Sequence, residues 1–381
     1  MNFSFLSRLG CAVVVLTAQA ASAANPLASA KPGEVIELSD APALKDIPVV
    51  AAPVTPAGGP LLLFSDGPEY FPSNGIALRE DVKPGSFRLY IYHCPESTGA
   101  KKTITAVVEN LGDAPMKLRF RHYGYQKPGK DYLKVGKAGL LDYFSAKAGP
   151  VERTVAAHAR VVLDPVMDAA VVTKDDLVHA FHELEVDQPA RVSVFQRDPD
   201  QDSLKVLDAL PLLERGKHGA GRGQFATTDF TVDASVDTAD GPKQIVVADG
   251  KRDPWITGRD ATTGPDAPAR DAGNYGVVYR IKITRRSTDG RRLALLIVKP
   301  QEDKGYCPGA AAVVALGAGD AREQVIPLPK DQPKFHHYPQ AVVVQTFAPL
   351  PAGKSETIEL TYSPPGASCL PTPFLLVPYK P

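Results

Sequence analysis

Residues 87–92 read Phe-Arg-Leu-Tyr-Ile-Tyr, and residues 103–108 read Thr-Ile-Thr-Ala-Val-Val. Short runs of alternating or crowded apolar residues, closed by Gly, Pro, Asp or Asn, mark strands rather than helices. The pattern recurs outward at 116–120, 160–163 and 191–195. It resumes at 230–236, 244–247, 275–284, 292–298, 311–316, 341–347, 357–362 and 373–378. Regular short strands with turn signals between them predict a mainly β protein of two β-sandwich-like domains. One or two short helices interrupt this. Asp131 to Ser145 approximates helical spacing, with Asp131 as its cap. Ser203 to Glu214 is a second candidate, interrupted by Pro211. Ser287-Thr288-Asp289-Gly290 reads as a hairpin turn, because Gly supplies the positive φ that such turns need.

The chain has 381 residues, with 43 Lys and Arg against 43 Asp and Glu. Balanced charge argues against a nucleic-acid or anionic-membrane partner, since both need clustered positive charge. Single cores rarely grow past ~250–300 residues, so two domains are expected. Residues 24–58 are rich in Ala and Pro and read as an extended lead with one strand near Val35–Leu38. A β-rich domain follows over 59–215. Gly216, Gly219, Gly221 and Gly223 make 216–224 the best linker signal, and 225–381 is the second domain.

Arg8, the apolar stretch Leu9–Ala18 and Ala21-Ser22-Ala23 form a secretory signal peptide over 1–23, with cleavage before Ala24. No later stretch is apolar enough for a transmembrane segment. The expected location is periplasmic or secreted, where disulfides form. Cys94, Cys307 and Cys369 allow three pairings. Cys307–Cys369 is favoured because both lie in loops of the second domain; the alternative is no bridge, each Cys packing as a small apolar residue.

Several stretches carry a family resemblance. They are Leu89–His93 (LYIYH), Asp131–Lys137 (DYLKVGK), Arg222–Phe225 (RGQF), Gly273–Arg280 (GNYGVVYR), Gly305–Ala310 (GYCPGA) and Ser368–Pro371 (SCLP). In this order the chain resembles a family of secreted bacterial β-rich proteins without an assigned activity, over about residues 65–379. Some members carry a copper amine oxidase-like N-terminal domain, absent here. The resemblance implies a β-rich exported protein and no copper chemistry. Cys369 departs from the family pattern, which supports a disulfide particular to this chain.

The candidates for chemistry are few. Arg285, Arg286, Arg291 and Arg292 flank the expected hairpin and gather four guanidinium forks, which suit carboxylate or phosphate groups such as acidic polysaccharide. Tyr70, Phe71, Trp255 and Tyr338 are loop aromatics that would offer stacking surfaces for sugars if they formed one exposed strip. Asp198, Asp200 and Asp202 alternate as in a calcium loop, without its later Gly and Glu. His179 and His182 lack the spacing of a zinc helix and would face opposite sides of a strand. His336-His337 lies in a polar loop. His93-Cys94 would likewise point apart, against a nucleophilic pair. No G-x-S-x-G elbow or phosphate loop occurs, and no cofactor is expected.

The leading expectation is a non-catalytic extracytoplasmic protein that binds an envelope polysaccharide or surface protein. The alternative is a secreted carbohydrate-active hydrolase, which requires a concave pocket with two facing carboxylates and a strongly raised pKa. The third is a periplasmic metal-binding protein using His179, His182 or His336.

Overall fold

The computed structural model describes residues 25–39, 41–300, 307–318 and 323–380; the expected signal peptide lies outside them. The chain is mainly β and builds two β-sandwiches. In the first, a sheet ordered Arg160–Val162, Thr103–Asn110, Ala190–Arg197 and Gly75–Val82 packs on a longer one. The longer sheet runs Pro268–Arg270, Thr257–Arg259, Arg222–Phe225, Leu61–Ser65, Gly85–Pro95, Val178–Val186, Met116–Tyr125 and Arg153–Val155.

Alternation along Gly85–Pro95 sorts its side chains between two cores. Phe87, Leu89 and Ile91 enter the core of the first sandwich, while Tyr90, Tyr92 and Cys94 face the other way. That outer face is covered by helix Tyr132–Phe144, whose Val135, Leu140 and Tyr143 share its core. Asp131 caps the helix as expected, accepting from the Lys134 N–H at 3.1 Å. A further one-turn helix forms at Pro165–Asp168, and the second expected helix is also a single turn, Ser203–Val206, continued as a 3₁₀ turn over Leu207–Ala209. It stops before Pro211, which has no N–H to extend it.

The second sandwich pairs a five-stranded sheet with a six-stranded one. The first contains Gln340–Phe347, Arg292–Val298, Thr372–Tyr379 and Lys243–Val247; the second contains Asp229–Asp237, Val278–Arg286, Glu356–Tyr362, Ala312–Ala318 and Gln324–Leu328. The Ala/Pro-rich lead completes both. Val35–Glu37 pairs with Gln340–Phe347, and Val54–Pro56 pairs with Asp229–Asp237. Val278–Arg286 and Arg292–Val298 are not a hairpin, because they lie in different sheets. Their Ser287–Gly290 turn carries the chain across the sandwich, since each flanking strand has an apolar face that must reach a separate sheet.

The Gly-rich stretch read as a linker holds a strand. Arg222–Phe225 pairs antiparallel with Leu61–Ser65, and Thr257–Arg259 and Pro268–Arg270 later extend the same sheet. The chain therefore crosses repeatedly between the sandwiches. Buried Arg88 ties them together, donating to Asp229 at 2.6 Å and to Glu183 at 3.2 Å. The expected disulfide is present: Cys307 and Cys369 are bonded, with Cα atoms 5.8 Å apart. Cys94 is free and buried.

Candidate functional site

Three backbone segments converge where the longer sheet of the first sandwich meets the second sandwich. Leu61–Ser65 is almost wholly buried and ends at Asp66. The Asp66 N–H donates to the Gly221 carbonyl at 3.1 Å, and the Ala272 N–H donates to the Ala220 carbonyl at 2.9 Å. This junction explains the glycines. At Gly219 (φ +103°) a Cβ would lie 1.9 Å from the Asp66 carbonyl oxygen, and at Gly221 (φ +140°) one would lie 2.1 Å from that of Arg270. Only glycine permits both the backbone angle and the approach.

A cavity of about 280 Å³ opens beside the junction. Asp66 and Glu69 enter it from the loop after the strand, Tyr90 and Tyr92 from Gly85–Pro95, and Tyr275 from the loop before Val278. Gly219 and Gly366 line it without side chains. No Lys, Arg or His stands among its described lining residues.

The polar atoms here are incompletely satisfied. Asp66 accepts from the Ala220 N–H through Oδ2 at 2.6 Å. Its Oδ1 is buried without a partner among the described residues, as is the Tyr90 hydroxyl. Asp271, fully buried, has both carboxylate oxygens without a well-formed hydrogen bond among the described residues, the backbone N–H of Tyr275 being the group that approaches it. Native structures leave few such atoms. Burial pushes the Asp66 carboxyl well above its ordinary value; the Ala220 hydrogen bond opposes this, and Glu69 and Asp271 add to it. Burial likewise raises Asp271, against the backbone N–H of Tyr275. Glu69 is raised by burial and partly restored by His218. Tyr90, Tyr92 and Tyr275 are shifted upward by burial first, so they remain neutral donors. Glu69 and His218 also border an adjoining depression of about 560 Å³ with Tyr70 and Leu212, so the site extends as a groove.

A Ser–His pair lies close by but turns away. Ser65 is adjacent to Asp66, so it faces the opposite side of its strand. Its hydroxyl is 2.8 Å from His93 Nε2, and His93 Nδ1 donates to the Pro68 carbonyl at 2.7 Å. Both residues are fully buried, and the Phe71 ring meets His93 edge-on at 4.8 Å. Burial pushes the imidazole down to about 3. The pair braces the Pro68 loop, and it lines none of the described cavities.

The residues singled out in the sequence are not brought together. Arg285 is 3% exposed, lies over the Phe347 ring, and donates to Glu356 at 2.7 Å and to the Ala348 carbonyl at 2.8 Å. Arg291 is held by Asp289 and the Thr238 carbonyl. Arg292 is partly buried, which leaves Arg286 as the exposed member. The four cations do not form one exposed tip: the crossover turn draws Arg285, Arg291 and Arg292 at least partly into the fold and leaves Arg286 outside. The aromatic strip is corrected too. Phe71 is fully buried, Trp255 packs against Gly250, and the Tyr338 hydroxyl donates to the Pro42 carbonyl across the far sheet. Tyr70 alone reaches the groove.

The acidic loop is spent on local bonds rather than on a shared centre. Asp198 accepts from Lys102 at 2.7 Å and from Asn74 at 2.9 Å, and Asp202 caps the Ser203 turn, while Asp200 is exposed. His179 and His182 are buried on opposite faces of their strand, packed on Tyr90 and Tyr123 respectively. His336 is exposed in its loop. No group of three metal-type ligands is placed for an ion among the described residues. Sequence reading missed Asp66, Glu69 and Asp271. Their signal was an acid at each of two glycine-containing loop starts, Asp66-Gly67 and Asp271-Ala272-Gly273, which is too common to single out.

No family model matches the chain, and no curated protein sequence matches it. Among solved structures it is similar to the CUB1-EGF-CUB2 domains of human MASP-1/3, at 10% identity over 79% of this chain and 100% of that one, with a TM-score of 0.19. The equivalent rat MASP-1 domains align at 9% identity over 78% and 97%, with a TM-score of 0.18. The CBM22-1-CBM22-2 tandem of Paenibacillus barcinonensis Xyn10C aligns at 10% identity over 93% and 92%, with a TM-score of 0.16. At these scores the likenesses carry no functional argument.

Proposed function

We propose that this is an extracytoplasmic binding protein whose Asp66–Tyr90 pocket takes a saccharide unit of an envelope polysaccharide. One observation carries the reading: Asp66 Oδ1 and the Tyr90 hydroxyl are buried beside a cavity and lack partners among the described residues. Sugar hydroxyls donate and accept, so one ring can satisfy both atoms while its apolar face rests on tyrosine. The cavity, about 280 Å³, falls just below the ~300–1,000 Å³ usual for small-molecule sites, which suits one ring with neighbours in the groove. The Cys307–Cys369 bridge fits an oxidising compartment. Among the described residues no helix is long and apolar enough to cross a membrane.

The test is calorimetric titration of the protein with oligosaccharides released from envelope polysaccharides. Binding should weaken about 5- to 10-fold in Tyr90→Phe, the cost of one hydrogen bond, with the fold unchanged by circular dichroism. No saccharide binding, or equal affinity in Tyr90→Phe, would sink the reading.

A second reading has its own support. Asp66 and Glu69 share one pocket, and burial raises Asp66 more strongly than Glu69. Such a difference assigns a general acid and a base for glycoside hydrolysis. Release of reducing ends, lost in both Asp66→Asn and Glu69→Gln, would favour it; saccharide binding without turnover would exclude it.

A further inference from the structure

The charge of the pocket wall bears on which saccharide it takes. Two acidic side chains and three tyrosine rings line it, with no cation among the described lining residues. Asp271 is fully buried nearby, and neither of its oxygens has a well-formed hydrogen bond among the described residues. The missing side chains at two glycines keep these groups from being crowded further. A Cβ on Gly219 would lie 3.3 Å from Asp66 Oδ1, and one on Gly366 would lie 3.0 Å from the Tyr90 hydroxyl and 2.5 Å from the Tyr92 ring. An acidic sugar entering here would meet carboxyl groups and no counter-charge. A neutral sugar would satisfy the hydrogen bonds but gain nothing from the charge. A protonated amine has three donors and no acceptor, so it matches acceptor oxygens, and tyrosine faces attract it.

We propose that the pocket selects an amino sugar with a free protonated amine, its ammonium seated between Asp66 and Glu69 against the Tyr90 and Tyr92 rings. The inference rests on the saccharide-binding reading and specifies its ligand class as a de-N-acetylated hexosamine. N-acetylation removes the charge and adds bulk in a cavity of about 280 Å³. A uronic acid would add a further carboxyl to a wall with no cation among its described lining residues.

Binding is also linked to protons. The titratable groups facing Asp66 are Glu69 from its own loop, Asp271 and Tyr275 from the third segment, and Tyr90, Tyr92 and Cys94 from the sheet, with His218 acting on Glu69. Buried Asp66 and Asp271 favour their protonated forms. An ammonium favours the ionised form, so seating it releases a proton. Affinity should therefore rise as pH increases through the raised carboxyl values.

The experiment is calorimetry of the full chain with three probes: a glucosamine tetramer, the N-acetylated tetramer of the same linkage, and a uronic acid tetramer. The glucosamine tetramer should bind at least 10-fold more tightly than either of the others. Measured in two buffers of different ionisation enthalpy, it should release protons. Asp66→Asn should bring the glucosamine and N-acetyl tetramers within about 3-fold of each other, and Glu69→Gln provides the same test if Asp66→Asn does not fold. Equal or tighter binding of the N-acetylated or acidic tetramer overturns the amine selection and leaves the saccharide reading standing. If no tetramer binds, and envelope oligosaccharides do not bind either, both readings fall.

Discussion

Two buried polar clusters sit back to back on the same loops, and they are finished differently. Around Arg222 the guanidinium and Asp260 are fully paired, and only the neighbouring Glu80 Oε2 is buried without a partner among the described residues. The guanidinium is 1% exposed and donates to Asp260 at 3.0 Å, to Thr263 at 2.9 Å, and to the carbonyls of Gly67, Ala77 and Leu213 at 3.1, 2.8 and 2.8 Å. Asp260 is in turn held by Arg215 at 3.1 Å and by the Thr263 N–H at 3.1 Å. Its carboxyl lies below the usual value, because these bonds and charges outweigh its burial. Around Asp66, next to Gly67 in sequence, three acidic oxygens and a phenol are buried without a well-formed hydrogen bond among the described residues, and the carboxyls are raised. Both clusters bear the cost of desolvation. The first recovers it within the protein and holds the junction rigid; the second is left for a ligand to complete.

The contrast breaks most visibly if Arg222 is removed. Arg222→Met should cost about 3–5 kcal/mol in denaturant unfolding, since it takes a buried charge partner from Asp260 and the side-chain donor from three carbonyls. A loss under 1 kcal/mol would mean that the cluster does not hold the junction. Next in size is the disulfide. Cys307→Ser with Cys369→Ser should cost about 2–4 kcal/mol. It should also speed hydrogen exchange at Gly366 and Ala367, which line the pocket three and two residues before Cys369. Unchanged exchange there would uncouple the bridge from the site.

The two clusters should also respond oppositely to pH. Asp271 has a raised folded-state value, so its contribution is full below the unfolded value near ~3.9 and is lost as pH rises through the folded one. Asp271→Asn should flatten the fall in stability as pH rises above the ordinary aspartate value, by about 1–3 kcal/mol in all. Asp260 has a lowered value, so its contribution is present above the unfolded value and is lost as pH falls through the folded one. Asp260→Asn should flatten the acid limb instead. Urea midpoints across pH read both slopes, and matching slopes would dissolve the distinction. The smallest effect belongs to the crossover turn. Arg286→Ala should change stability by under ~0.5 kcal/mol, as for an exposed surface residue. Arg285→Ala should cost more, because it unpairs Glu356 and uncovers Phe347.

Much of the fold was legible. Alternation and turn residues placed most strands, and Asp131 marked its helix, because those signals are local. Sheet membership was not. The turn at Asp289-Gly290 promised a hairpin, but long-range burial sent its strands to separate sheets. Gly219 and Gly221 suggested looseness, whereas they serve a tight crossing of three segments. The site was missed for the same reason. Asp66, Tyr90 and Tyr275 lie far apart in sequence and meet only through sheet pairing. The arginines and acids that cluster in sequence were already satisfied by neighbours.

The most direct test is a carboxyl titration by carbon-detected NMR, following Asp66, Asp271 and Asp260 in one sample. The account predicts that Asp66 and Asp271 titrate clearly above ordinary aspartates, that Asp260 titrates below them, and that adding the glucosamine tetramer lowers Asp66. If all three titrate together near the usual aspartate value, the pocket is not a set of buried, unpaired acids awaiting a ligand, and the central claim fails.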